Sequence, residues 1–277
     1  MEYSNLILVT WDFTEKNVYA LEHAINMAKH IKHDIALVHI VKKESEIKDA
    51  EKRISEEVAQ KFKDIDVKPN IIVKAGNIFT TIVELADEIK ARIVVMGTHG
   101  IKGMQKFLGS WALKVIAGSK SPFVVVQNHP VKEIYHDVVI PVNYRKENKE
   151  IISWANYFSK SLGVKFHVFY AKNTDTNFVK GVESNILFIS KYFDQKGIKY
   201  EMKSASGAKE FQNEVVEFTK EINADAIMLI TTRDISLADY VLGAQEQYII
   251  ANDQQIPVIC INPRPAKLGG GFSASGG

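Results

Sequence analysis

The stretch Val94-Val-Met-Gly97-Thr-His-Gly100-Ile-Lys-Gly103-Met-Gln-Lys-Phe-Leu-Gly109-Ser110-Trp111 concentrates the residue types that handle phosphate. It follows an apolar run and precedes Ala112-Leu113-Lys114-Val115-Ile116, which reads as a helix. A glycine-rich loop thus leaves the C-terminal end of a parallel strand and enters a helix N-terminus. In open α/β sheets that edge is where ligands bind. Glycines let the backbone approach phosphate oxygens and turn with positive φ. The unpaired N–H groups at the start of the next helix suit an anion. The hydroxyl of Ser110 can donate to a phosphate or cap the helix. On spacing alone, a strand-to-helix loop that needs glycines only for its turns explains the pattern equally well. No Gly-Lys-Ser/Thr follows the glycines, so the stretch is not a P-loop. It follows a late strand and not the first, so it does not fit the dinucleotide fingerprint.

The elements that must position this loop occur twice. Leu6–Asp12 resembles Val138–Asn143, and Ile35–Val41 resembles Phe166–Tyr170, both at an offset of 131 residues. Ala91–Met96 resembles Ala224–Ile230, and Ser121–Val126 resembles Ile256–Ile261, with Pro122 and Pro257 offset by 135. Four anchors in one order indicate a repeat whose offset drifts through small insertions. The apolar, β-branched runs read as buried parallel strands, at 5–11, 35–41, 69–74, 92–97 and 123–127 in the first copy. Between them Tyr19–Ala28 and Ile78–Ile89 show helical spacing. A charged helix is expected over Glu46–Phe62, with its counterpart at Val182–Gln195. Strands alternating with helices imply right-handed crossovers. The expected class is therefore α/β: two tandem Rossmann-like domains, each an open five-stranded parallel sheet with helices on both faces. The polar, Pro-containing stretch 128–132 divides them, giving 1–130, 131–266 and a Gly/Ser-rich flexible tail over 267–277.

Composition narrows the function classes. The 277 residues are 46% hydrophobic and 25% charged, with a net charge of +2. The basic and acidic residues are balanced on both sides of residue 130, which argues against nucleic acid as a partner. The single cysteine, Cys260, lies in an apolar run and reads as a buried core thiol. It allows neither an internal disulfide nor a cysteine metal site. The N-terminus resembles neither a signal peptide nor a membrane span, so the cytoplasm is expected by elimination. No carboxylate pair or histidine cluster has the spacing of a hydrolytic or metal centre.

The pattern Gly97-Thr-His-Gly100, a short basic-apolar stretch, then Gly109-Ser110 resembles the nucleotide signature of the universal stress protein family, whose domains have the adenine nucleotide alpha hydrolase-like fold. The resemblance extends over both copies. It implies ATP as ligand, accompanied by Mg²⁺, with the two glycine groups holding ribose and triphosphate. It places Asp12 at the adenine end, the backbone of Ile40 against the base, and Met96 in the pocket wall. Thr10 and Trp11 stand where relatives often carry Pro-Val or Ala-Val, and Trp11 reads better as a packing residue. His99, Lys102, Lys106 and Trp111 border the loop. For His99 and the lysines, solvent exposure is the simpler reading. Eight residues separate Gly100 from Gly109, one fewer than is usual in ATP-binding members.

In the second copy, alignment of Gly243 with Gly109 sets Thr231 opposite Gly97 and Asp234 opposite Gly100. Ser110 becomes Ala244 and Asp12 becomes Asn143. This copy is expected to be degenerate. The resemblance further implies an intramolecular pseudo-dimer in which Phe123–Val126 pairs with Val258–Ile261, with room for a homodimer of chains and an unidentified protein partner. The expected function is stress-response regulation by ATP binding without rapid catalysis. The alternatives are a slow ATPase and a nucleotide-free interaction scaffold.

Overall fold

The computed structural model describes residues 3–63, 68–98, 115–231 and 244–263. The first half contributes β1 (Leu6–Thr10), α1 (Glu15–Ile31), β2 (Asp34–Val41), α2 (Ile47–Lys61), β3 (Asn70–Ala75), α3 (Ile78–Glu88), β4 (Ile93–Gly97) and β5 (Phe123–Val126). The second contributes β6 (Asp137–Val142), α4 (Ile151–Leu162), β7 (Lys165–Tyr170), α5 (Thr176–Lys196), β8 (Tyr200–Ser204), α6 (Phe211–Glu221), β9 (Ala226–Ile230), α7 (Ala244–Ile250) and β10 (Val258–Ile261). Residues 115–118 are also helical.

All ten strands form one sheet in the order β3-β2-β1-β4-β5-β10-β9-β6-β7-β8. Within each half the neighbours run parallel. At the centre β5 and β10 run antiparallel, with Val125 opposite Val258 and Phe123 opposite Cys260. The second half thus repeats the order of the first about a local twofold. Because its strands run the opposite way, the C-terminal strand edges of the two halves face opposite ends of the sheet.

Side chains alternate between faces along every strand. Ile7, Val9, Ile93 and Val95 pack with α1, α2, α4 and α5 on one face. Leu8, Val94, Met96, Val258 and Cys260 pack with α3, residues 115–117, α6 and α7 on the other. This two-sided burial explains the continuous apolar runs. The edge strand β8, Tyr-Glu-Met-Lys-Ser, is mostly exposed and carries no such run. Helix α5 begins six residues before the expected Val182, because the Asp175 side chain caps it by accepting from the amides of Asn177 and Phe178. Strand register also corrects one alignment. The amides of Val94 and Ile227 donate to the carbonyls of Pro122 and Pro257, both at 2.9 Å. Ile230 therefore stands opposite Gly97, and Thr231 opposite Thr98.

The seam between the halves is aromatic and polar. Tyr3 packs on Trp154 with ring centroids 5.2 Å apart. The Arg92 guanidinium lies 5.4 Å from the Tyr3 ring and 5.2 Å from that of Tyr157. Deeper in, buried His23 bridges α1 to the connection between the halves. Its Nε2–H donates to the Asn128 carbonyl at 3.1 Å, and the Tyr135 hydroxyl donates to its Nδ1 at 3.0 Å. The Asn128 carbonyl can only accept, which fixes the neutral tautomer. Burial pushes the imidazole down to about 4. The unfolded chain binds a proton near pH 6.5 that the folded chain refuses, so stability falls as the pH drops from about 6.5 to 4 and levels off below. The full loss is about 3 kcal/mol. Thermal melts across this range are expected to show that fall, and His23→Gln is expected to flatten it. A wild-type slope matching that of His23→Gln would refute the assignment.

Candidate functional site

The C-terminal edge of the first half-sheet is built around the turn that follows β1. One carboxylate oxygen of Asp12, Oδ1, accepts from the Thr14 amide at 2.9 Å and from the Asn17 side chain. The other, Oδ2, accepts no hydrogen bond from the described residues, and the residue is exposed. Phe13, with φ of 65°, sets its ring edge against His39 at 4.8 Å and lies beneath the Arg53 guanidinium at 3.8 Å. The His39 Nδ1 bonds the Trp11 carbonyl at 2.7 Å, tying β2 to the turn. An open groove of about 510 Å³ runs from Phe13 along His39–Lys42 to Arg53 on α2, with Ile40 in its wall.

The sequence-derived residues separate into groups. Asp12 and Ile40 both lie at this edge, Ile40 in the groove wall and Asp12 outside its lining. Thr10 is buried, and Trp11 lies in the core, as its packing reading requires. Met96 is fully buried among Leu8, Val38 and the α3 side chains. His99, Gly100, Lys102, Gly109, Ser110 and Trp111 lie outside the described residues. Among those described, no cluster of three His, Cys, Asp or Glu could hold a metal ion. No described helix is long and apolar enough to cross a membrane.

Gly97 has a structural duty that spacing did not reveal. A Cβ there would sit 2.1 Å from the Lys16 carbonyl oxygen, so the glycine lets the first turn of α1 close on β4. In the second half Ile230 occupies this position. There the chain first winds through a 3-10 turn (Lys146–Glu150), and α4 starts only at Ile151. Thr98, just beyond, was also missed from sequence. It is 7% exposed, and its hydroxyl has no hydrogen-bond partner among the described residues. A buried unpaired hydroxyl is costly unless something outside the fold satisfies it.

The second edge keeps the turn and braces it from α5, and a cleft of about 270 Å³ lined by Asn143, Tyr144, Lys172 and Phe211 remains beside it. The Asn143 Oδ1 accepts from the Arg145 amide at 3.0 Å and the Asn148 side chain at 2.7 Å, repeating the Asp12 pattern. Here, however, α5 presses onto the turn. The Asn185 side chain donates to the carbonyls of Asn143 and Arg145, both at 2.8 Å. Gly181 permits the approach, since a Cβ there would meet the Tyr144 Cβ at 2.9 Å. Thr231, the counterpart of Thr98, is satisfied: its hydroxyl donates to the Asn262 side chain. The β8–α6 loop spans residues 205–210, where its first-half counterpart needs only 76–77. Glu214 holds that longer loop by accepting from the Ser206 and Lys209 amides.

Residues 5–127 match the model of the universal stress protein family. This part of the chain belongs to that family. A universal stress protein of Methanocaldococcus jannaschii is 29% identical over 147 residues, covering 47% of this chain and 85% of the relative. The crystal structure of a universal stress protein from Archaeoglobus fulgidus covers 94% of this chain and 99% of its own, with a TM-score of 0.71 at 18% identity. That of a putative universal stress protein from Pseudomonas aeruginosa covers 94% of each chain, with a TM-score of 0.66 at 13% identity. Both share the fold across the two halves.

Gly97→Ala tests the close approach. Forcing a methyl group against the Lys16 carbonyl is expected to cost about 1–3 kcal/mol, measured by denaturant unfolding. A variant as stable as wild type would show that α1 does not rely on this glycine.

Proposed function

We propose that this universal stress protein binds ATP, accompanied by Mg²⁺, in its N-terminal domain (1–130), and that it serves as a stress-response regulator without rapid catalysis. The degenerate second domain (131–266) completes an intramolecular pseudo-dimer, and 267–277 forms a tail. The observation that carries this reading is the asymmetry of two otherwise equivalent edges. In the first, Asp12 is exposed, and neither its Oδ2 nor the Thr98 hydroxyl has a partner among the described residues. In the second, α5 clamps the Asn143 turn, and Asn262 takes the Thr231 hydroxyl. Polar groups left over by the fold are those a ligand can use. The groove beside Phe13 and Ile40 fits the flat base, and Asp12 can accept from its amino group. The glycine-rich stretch from Gly97 to Ser110 supplies the phosphate end.

Titration calorimetry with ATP and Mg²⁺ is expected to give one site per chain, abolished by Gly100→Asp. Asp12→Asn is the sharper variant, because Asn143 shows that asparagine preserves the turn. It is expected to leave the melting temperature unchanged and to weaken binding about 10- to 100-fold, the value of a hydrogen bond to a charged group. Thr98→Val is expected to leave the unliganded protein as stable or slightly more so, while lowering affinity. Two sites per chain would sink the asymmetry argument. No binding at all would favour the interaction scaffold.

A further inference from the structure

The turns after β1 and β6 share one scaffold but face outward with opposite chemistry. In each, one side-chain oxygen is spent inside the turn. Asp12 Oδ1 accepts from the Thr14 amide and Asn17, and Asn143 Oδ1 accepts from the Arg145 amide and Asn148. The Arg145 amide can only donate, so the Asn143 side chain cannot flip without setting one N–H against another. Its Nδ2 therefore points out of the turn, and it donates to no described residue. Where the first edge presents a carboxylate acceptor, the second presents an amide donor.

Asn143 lines the cleft of about 270 Å³ at this edge, and so do two aromatic rings that the fold already holds. Tyr144 packs on Phe178 with centroids 4.3 Å apart, and Phe211 lies parallel to Phe169 at 5.9 Å. Most charged groups of the lining are spent. Arg145 pairs with Glu246 and Lys209 with Glu217, both at 2.6 Å. The two Glu214 oxygens take the Ser206 and Lys209 amides, and Glu210 is exposed to solvent. Lys172 forms no ion pair among the described residues, and its ammonium can only donate. A ligand here must bring acceptors to Asn143 and Lys172 and a flat face to Tyr144 and Phe211. A purine that carries a carbonyl in place of adenine's amino group has two adjacent acceptors on one edge, O6 and N7. Adenine offers a donor where the first of these stands. The geometry points to a second binding cleft, at the C-terminal strand edge of the second half, that takes an oxopurine ring and rejects adenine. This rests on the reading above that these turns meet the base. The second domain is then degenerate toward ATP and selective for a different ring.

Inosine and adenosine differ in this one group, and neither carries a phosphate. Equilibrium dialysis of the full chain is expected to give one inosine site in the wild type. Asn143→Asp keeps the turn, as Asp12 shows, but puts an acceptor in place of the Nδ2 donor. It is expected to weaken inosine binding about tenfold or more and to add one adenosine site to that of the first edge. ATP titration of the same variant, expected to match wild type, shows that the chain remains folded. An inosine site that survives Asn143→Asp unchanged would overturn the inference. So would an inosine site lost in Asp12→Asn, which would place the nucleoside at the first edge. A wild-type chain that binds ATP but no inosine would overturn this inference alone. One that binds neither would overturn the functional reading with it.

Discussion

Everything in this fold hangs on the antiparallel contact of β5 with β10. Both strands are apolar and buried on both faces. Left unpaired, each would present a flat apolar edge with a free row of backbone donors and acceptors, which recruits other chains. Pairing them removes both hazards within one polypeptide. It also moves the remaining sheet edges outward to β3 and β8, and β8 carries Glu201 and Lys203. Charged residues on an outer strand are a known guard against edge-to-edge association.

The same contact explains how the two halves could diverge. Antiparallel pairing turns their C-terminal strand edges to opposite ends of the sheet, so changes at one edge do not collide with the other. The second edge has gained a longer helix cap at Asp175, a clamp through Asn185 and a longer loop latched by Glu214. Each addition satisfies polar groups with protein atoms. The first edge has not made these changes, and the leftover groups on Asp12 and Thr98 remain. The two edges thus differ in hydrogen-bond accounting around one shared turn.

Much of this was legible in the sequence, for identifiable reasons. The five strands of the first half fall within a residue of their apolar runs because two-sided burial leaves little room for polar positions. The repeat was visible through its strands and its two prolines, Pro122 and Pro257. What failed to show was structure held by single polar side chains. β8 lacks an apolar run because its sheet position exposes it. The start of α5 depends on one cap. The alignment of Thr231 slipped by a residue because it was counted back from Gly243 through a stretch of different length. Gly97 was visible as a glycine, but a glycine can mark a left-handed turn, a ligand or a close approach. Only the Lys16 carbonyl beside it identifies the third. The bonds from Asn262 to Ile116 and Ser119 join residues more than 140 positions apart, and no local pattern encodes them.

That last class of contact bears on how the two halves depend on each other. A nucleotide loop binds tightly only if ordering it is cheap, and the cost of ordering falls when both ends of the segment are already fixed. The first half fixes the strand ends on both sides of that segment with its own atoms, through Thr98 to Val126, Val94 to Pro122 and Ser121 to Ala91. A second half that keeps β10, Thr231 and Asn262 adds a further hold on Ile116 and Ser119 whatever becomes of its own cleft, so those three features are constrained by the first half while Asn143, Tyr144 and the β8–α6 loop are not.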